Sequence, residues 1–257
     1  PEGRRAAWIV DGQQRSLALA AAKDPSIAVP VIGFVSAELE TQREQFILVN
    51  KARPLPTRLI NELLPEVSVL LPRDLAVRQL PSALCELLNS DPASPFFGLI
   101  KRESDRSGVV TDNALIDAMK VSLKTSAGAL GNFKGNGSGH DADAMYDALL
   151  LYWGVVKETF PEAWGRSPTE SRLMHSAGIR AMGALMDILM LKLDGVLDKR
   201  AALRLILSRL APHCRWTSGV WDGLGVEWSN IQSTSQDINR LTDHLVRLER
   251  DLARSAS

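Results

Sequence analysis

The 257-residue chain predicts an α+β fold with α/β-like alternation in its first half and an all-α second half. Three observations carry that expectation. Short β-branched runs bounded by turn residues alternate with helical segments up to about residue 124. A glycine-rich stretch, TSAGALGNFKGNGSGH (125–140), interrupts the pattern. After it, apolar residues recur only at helical spacing. The domain reading is therefore 1–127, a linker at 128–139, and 140–257.

The elements follow in order. AAWIV (6–10) reads as a buried strand and 13–22 as a short Leu/Ala-rich helix. VPVIGFV (29–35) reads as a second strand. Ser36 is placed to cap a helix over 37–51, and Pro54 and Pro56 end it. A helix restarts over 57–64 and stops at Pro65. Another spans 73–89 with a break expected near Pro81. FFGLIK (96–101) and GVVT (108–111) read as strands joined by the charged turn 104–108, and Asp112 caps a helix to about 124. The Gly128–Gly139 stretch lacks a Gly-Lys-Ser/Thr ending and reads as a mobile linker, not a phosphate loop. Beyond it lie helices at 140–159, at 198–210 and at 236–253. A long one is expected from the Ser167-Pro168-Thr169-Glu170 capping box to about 193.

Composition narrows the function. Hydrophobic residues make up 45% and charged residues 23%, with 30 Lys+Arg balancing 30 Asp+Glu. A globally basic nucleic-acid surface is thereby excluded, though not a local one. Cys85 and Cys214 stand alone, which fits free thiols and a cytoplasmic setting more than a Cys/His metal site. No apolar run has membrane-spanning length, so no membrane partner is expected. The chain starts at Pro1, a few residues before the first expected strand, and an upstream segment is expected. The tryptophans of WTSGVWDGLGVEW (216–228) read as core anchors in preference to base-stacking platforms. His175, far from any ligand-spaced partner, reads as structural.

The chemistry concentrates at Asp11-Gly12-Gln13-Gln14-Arg15. A strand-to-helix junction exposes unpaired N–H groups at the positive end of a helix dipole. Gly12 permits a tight turn and close approach. Gln13 and Gln14 supply amides, and Arg15 supplies a fork suited to phosphate. Asp11 either caps the helix, holds a metal ion or orients a water.

This DGQQR stretch resembles the signature of the DGQHR-domain proteins of the ParB/sulfiredoxin-like superfamily, related to the DndB proteins of DNA phosphorothioation. Phe46–Arg53 is similar to the helix end that carries Glu-Asn-x-x-Arg in ParB proteins: Asn50 and Arg53 match, and Val49 stands in place of the glutamate. LIKRESDRSGVVTDNALIDAM looks like the family's hairpin and helix. LMHSAGIRAMGALMDILM also resembles the family, and residues 216–228 resemble the DpdB-type members of 7-deazaguanine DNA modification. The resemblance implies a ParB/sulfiredoxin-like N-terminal half and an NTPase, ATP-preferring, that assists a DNA-modifying transglycosylase inserting a 7-deazaguanine base. It implies nucleotide binding by Gly12, Gln13, Gln14, Arg15, Asn50 and Arg53. Asp11, Gln13 and Arg15 would be catalytic, and Asn50 would help hold Mg²⁺ with the nucleotide. Lys51 and Arg58 are further cations for phosphate or DNA. The alternative is a DndB-like DNA-binding regulator of such an operon. Direct DNA contact, self-association and the nucleotide base stay open.

Overall fold

The computed structural model describes residue 9 and residues 11–22, 28–36, 38–49, 56–67, 71–125, 127–133 and 141–255. Within them the protein is a helix-rich α+β fold. The helices are α1 (Gln13–Ala20), α2 (Leu39–Val49), α3 (Thr57–Leu63), α4 (Arg73–Ser90), α5 (Asp112–Lys124), α6 (Ala142–Thr159), α7 (Ser176–Lys192), α8 (Lys199–Leu210) and α9 (Ser235–Ser255). The strands are only two residues long: β1 (Ile100–Lys101) with β2 (Val110–Thr111), and β3 (Val220–Trp221) with β4 (Val226–Glu227).

The α/β-like alternation is not what the described residues adopt. Residues 29–35 form no strand, and Val31, Ile32 and Val35 are almost fully exposed. A strand is held by ladder bonds to a neighbour; this segment has none among the described residues, and Pro30 removes one of its donors. The AAWIV strand falls mostly outside the described residues. β1 and β2 form, but they pair in parallel, Ile100 opposite Val110. The expected hairpin is replaced by a loop that returns the chain to run in the same direction.

The helices agree better with the sequence, with two corrections. α4 runs through Pro81 without a break. The ring is buried there with Leu84, Cys85 and Leu88, and that packing offsets the ~3 kcal/mol cost of an interior proline. Half of the capping box at Ser167 forms: the Glu170 carboxylate accepts from the Ser167 backbone N–H and hydroxyl, while the Glu170 N–H donates to the Ser167 backbone carbonyl. Yet it closes only one turn. The Arg172 N–H donates to the Trp216 carbonyl (2.8 Å), diverting the chain, and α7 starts at Ser176. His175 is its N-cap, Nδ1 accepting from the Ala177 N–H at 3.3 Å.

One continuous core joins α4 and α5 to α6, α7, α8 and α9, from Leu84 to Leu245. It spans both of the domains expected on either side of 128–139, so those residues do not divide the described helices into separate cores. The first part of the supposed linker is itself structure. Ala129 and Leu130 are buried. The Ala129 N–H donates to Asp187 Oδ1 (2.9 Å) and the Leu130 N–H to Ser122 Oγ (3.0 Å). A Cβ on Gly128 would sit 1.8 Å from the Ser122 carbonyl oxygen. Glycine is needed here for close packing onto α5, not for mobility; residues 134–140 lie outside the described residues. Ile47, Leu64, Val67 and Leu75 form a small second cluster that packs α2 and α3 onto the start of α4.

The tryptophans anchor the core as expected. Trp221 is fully buried, with its ring 4.9 Å from that of Trp216 and edge-on to it; Trp216 in turn meets Phe160. Aromatic pairs in this geometry add about 0.5–1.5 kcal/mol beyond area burial.

Candidate functional site

The turn at 11–15 is the start of α1. Gly12 is its N-cap in the left-handed region (φ 83°), a conformation that glycine adopts without a Cβ penalty. The Ser16 N–H donates to the Gly12 carbonyl (2.8 Å), the first bond of the helix. No side chain caps α1, so its first-turn N–H groups keep the anion-attracting character of a helix start.

Asp11 and Arg15 meet across this turn. Asp11 Oδ1 accepts from the Gly12 N–H (2.6 Å), and Oδ2 accepts from Arg15 Nη2 (3.0 Å). The guanidinium folds back over the glycine: its Nε and Nη2 lie 3.4 Å from where a Gly12 Cβ would be. Both side chains remain open, Arg15 75% and Asp11 47% exposed, and Gln13 and Gln14 are exposed beside them. An exposed i,i+4 pair of this kind is worth only about 0.3–0.5 kcal/mol, so an arriving phosphate can take the guanidinium from Asp11 cheaply. Asp11 is the one carboxylate of the turn.

The remaining predicted site residues are not brought to this turn by anything described. Asn50, Lys51 and Arg53 lie outside the described residues. A cleft of about 260 Å³ flanks the last turns of α2, between Ile47, Leu48, Leu71, Pro72 and Leu75. Its charged member is Glu44, which does not suit phosphate. Arg58 is not a free cation. Its Nε lies 3.7 Å from Oδ1 of Asp112, a carboxylate with no exposed surface.

Asp112 belongs to a polar node that sequence reasoning missed. Asn61, also fully buried, donates from Nδ2 to Asp112 Oδ2 (2.8 Å) and Asn113 Oδ1 (3.1 Å). Arg78 donates from Nη2 to Asn61 Oδ1 (3.0 Å) and Asn113 Oδ1 (2.9 Å). The Asn113 N–H donates to Asp112 Oδ1 (2.7 Å). Asp112 thus serves as the first-turn acid of α5, where the dipole favours it, and as the tie holding α3 and α4 to that helix start. Its oxygens are already satisfied, so the node reads as a brace, not a ligand site. The one sequence signal was Asn61, a polar residue three positions before Leu64 on the inward stripe of α3.

Other reactive groups are muted. Burial pushes the Cys85 thiol up to about 12, against the opposing pull of Arg102, and burial likewise raises Cys214 to about 12. Neither is a nucleophile at neutral pH. Burial raises the Asp187 carboxyl, partly countered by hydrogen bonds from Ser122 and Ala129. No group of three or more His, Cys, Asp or Glu among the described residues is arranged to hold a metal ion. No described helix is long and apolar enough to cross a membrane.

No protein-family model matches the chain, and neither does any curated protein or solved structure.

Proposed function

We propose that the chain binds and hydrolyses a nucleoside triphosphate, ATP in the first instance, at the Asp11–Arg15 turn. In this reading it is the NTPase of a DNA-modification system, working with a transglycosylase that exchanges a DNA base for a 7-deazaguanine. The observation that supports the reading is the turn itself: an uncapped helix start, a left-handed glycine, and an exposed guanidinium folded over it. That set can receive phosphate oxygens on backbone N–H groups and neutralise them with Arg15. Gln13 and Asp11 flank the same turn and would orient the attacking water, Asp11 being freed as Arg15 turns to the phosphate. Asn50 and Arg53 complete the set by resemblance, Asn50 as a protein ligand to nucleotide-bound Mg²⁺. Bound Mg²⁺ supplies charge neutralisation to the β and γ phosphates. Phosphoryl transfer needs this positioning and electrostatics more than a covalent nucleophile, which suits a chain whose thiols are buried.

The test is phosphate release from ATP, GTP and CTP with Mg²⁺, with and without duplex DNA, for wild type and Arg15→Ala. Turnover by wild type and its loss in a folded Arg15→Ala supports the site. Undiminished turnover in the variant removes the site from this turn. A folded wild type that hydrolyses none of the three, yet binds DNA with a steep salt dependence, moves the assignment to a DNA-binding regulator.

A further inference from the structure

A second site lies in the helical body, away from any residue assigned above. α6, α8 and the loops at 93–95 and 161–164 flank an open cleft of about 770 Å³, within the volume range of small-molecule pockets. Its lining is mixed: Pro95, Leu150, Leu151 and the half-buried indole of Trp164 form an apolar part beside Lys157, Glu158 and Arg200. That indole is fixed. Its Nε1–H donates to the Pro95 carbonyl (3.3 Å), and its ring lies 4.9 Å from Phe96.

Gly154 is the telling residue. It sits in the interior of the 18-residue α6, where glycine costs about 1 kcal/mol relative to alanine. Packing explains the two glycines of α7, whose Cβ atoms would approach the Arg172 carbonyl oxygen to 2.0 Å and the Ala118 Cβ to 2.9 Å. Nothing comparable explains Gly154: within 4 Å of its Cβ position there is only Arg200 Nη1, at 4.0 Å. The missing side chain leaves space in the cleft.

The rim is cationic. Glu158 is engaged on one oxygen by Arg200 and on the other by Arg204, and those two arginines hold its carboxyl below the usual range. Lys157 lines the cleft, is exposed, and forms no ion pair among the described residues. Among the residues that line the cleft, Lys157 and Arg200 against Glu158 leave a net charge of +1.

We propose that this cleft binds a small flat aromatic anion, its ring lying over Gly154 against Trp164 and its acidic group between Lys157 and Arg200. The site is independent of the nucleotide reading at residues 11–15. A carboxylate and a phosphate monoester share the required chemistry, and the test separates them.

The probe is 8-anilinonaphthalene-1-sulfonate, titrated against the full chain and followed by its own emission and by tryptophan quenching. Wild type is expected to show one saturable site. Gly154→Leu puts a side chain into the cleft from a Cβ position whose nearest neighbour is Arg200 Nη1 at 4.0 Å, and is expected to weaken binding at least about tenfold while circular dichroism stays helical. Lys157→Glu breaks no ion pair and is expected to weaken it about tenfold by reversing a rim charge. Displacement by 2-naphthoate assigns an aromatic carboxylate, and displacement by adenosine 5′-monophosphate assigns a phosphate ester. Binding that is unchanged in folded Gly154→Leu or in Lys157→Glu, or displaced by neither competitor, overturns the proposal. Should Gly154→Leu fail to fold, Lys157→Glu and the competitors decide it alone.

Discussion

α1 and α7 are both rich in leucine and alanine, yet their fates differ. QQRSLALA forms a helix with no buried residue, and Leu17 is 66% exposed. SAGIRAMGALMDILMLK buries Ile179, Met182, Leu185, Met186 and Leu189 completely or nearly so. Helix propensity is local and makes both helices. Burial needs partners, and α7 lies against α5 and α9 while α1 has none of comparable extent. The apolar segment 29–35 sides with α1 for the same reason. The body holds the packed core, and the DGQQR turn is an open surface feature.

Substitutions should separate the two regions. The largest loss is expected for Trp221→Ala, where a fully buried indole wedged between Trp216 and His244 leaves a cavity. Urea unfolding should show a loss of about 3–5 kcal/mol. A preserved midpoint would mean that the body is less tightly built than the contrast requires. Next is Gly128→Ala, which forces a methyl group against the Ser122 carbonyl. An expected cost of about 1–3 kcal/mol, read the same way, would distinguish a packed turn from a tolerant linker.

A smaller effect is expected from pH. Burial first, and then Arg172, hold the His175 imidazole below its ordinary 6.5. The folded chain then binds fewer protons than the unfolded one between the two values. That contribution is fully present above about 6.5 and is lost as pH falls through the lowered folded value. Protonation also removes the Nδ1 acceptor that caps α7. His175→Asn keeps a cap but does not titrate, so its unfolding midpoint should fall less than that of wild type between pH 7.5 and pH 5.5. Parallel declines would show that His175 plays no part. His244, also lowered chiefly by burial, contributes equally to both chains. The smallest effect is expected for Leu17→Ala, within about 0.5 kcal/mol; a larger loss in thermal unfolding would reveal that α1 is docked after all.

The helices of the body were legible because their apolar residues repeat at helical spacing; the caps at Asp141 and Asp198, which accept from Ala144 and Ala201, were seen only in the structure. The Asp11–Arg15 turn was legible as a helix start, since glycine beside polar residues is a local instruction. The Asn61–Asp112–Arg78 brace was not, because its members come together only when α3, α4 and α5 meet. The cleft over Gly154 was hidden for the same reason: a helix-interior glycine looks alike in sequence whether a neighbour fills the space or leaves it empty.

By itself, then, the sequence determined most of the helical segments, that Trp216 and Trp221 are anchors, and that a helix starts at the glycine of the DGQQR turn. These follow from periodicity, side-chain volume and spacing along a few residues of chain. Tertiary structure alone decided that 29–35 is not a strand, that β1 and β2 run parallel, that α7 starts at Ser176, and that Gly128 is packed and not mobile. Each of those outcomes depends on which distant group satisfies a backbone N–H or occupies the space beside a glycine, and neither is encoded within a local window.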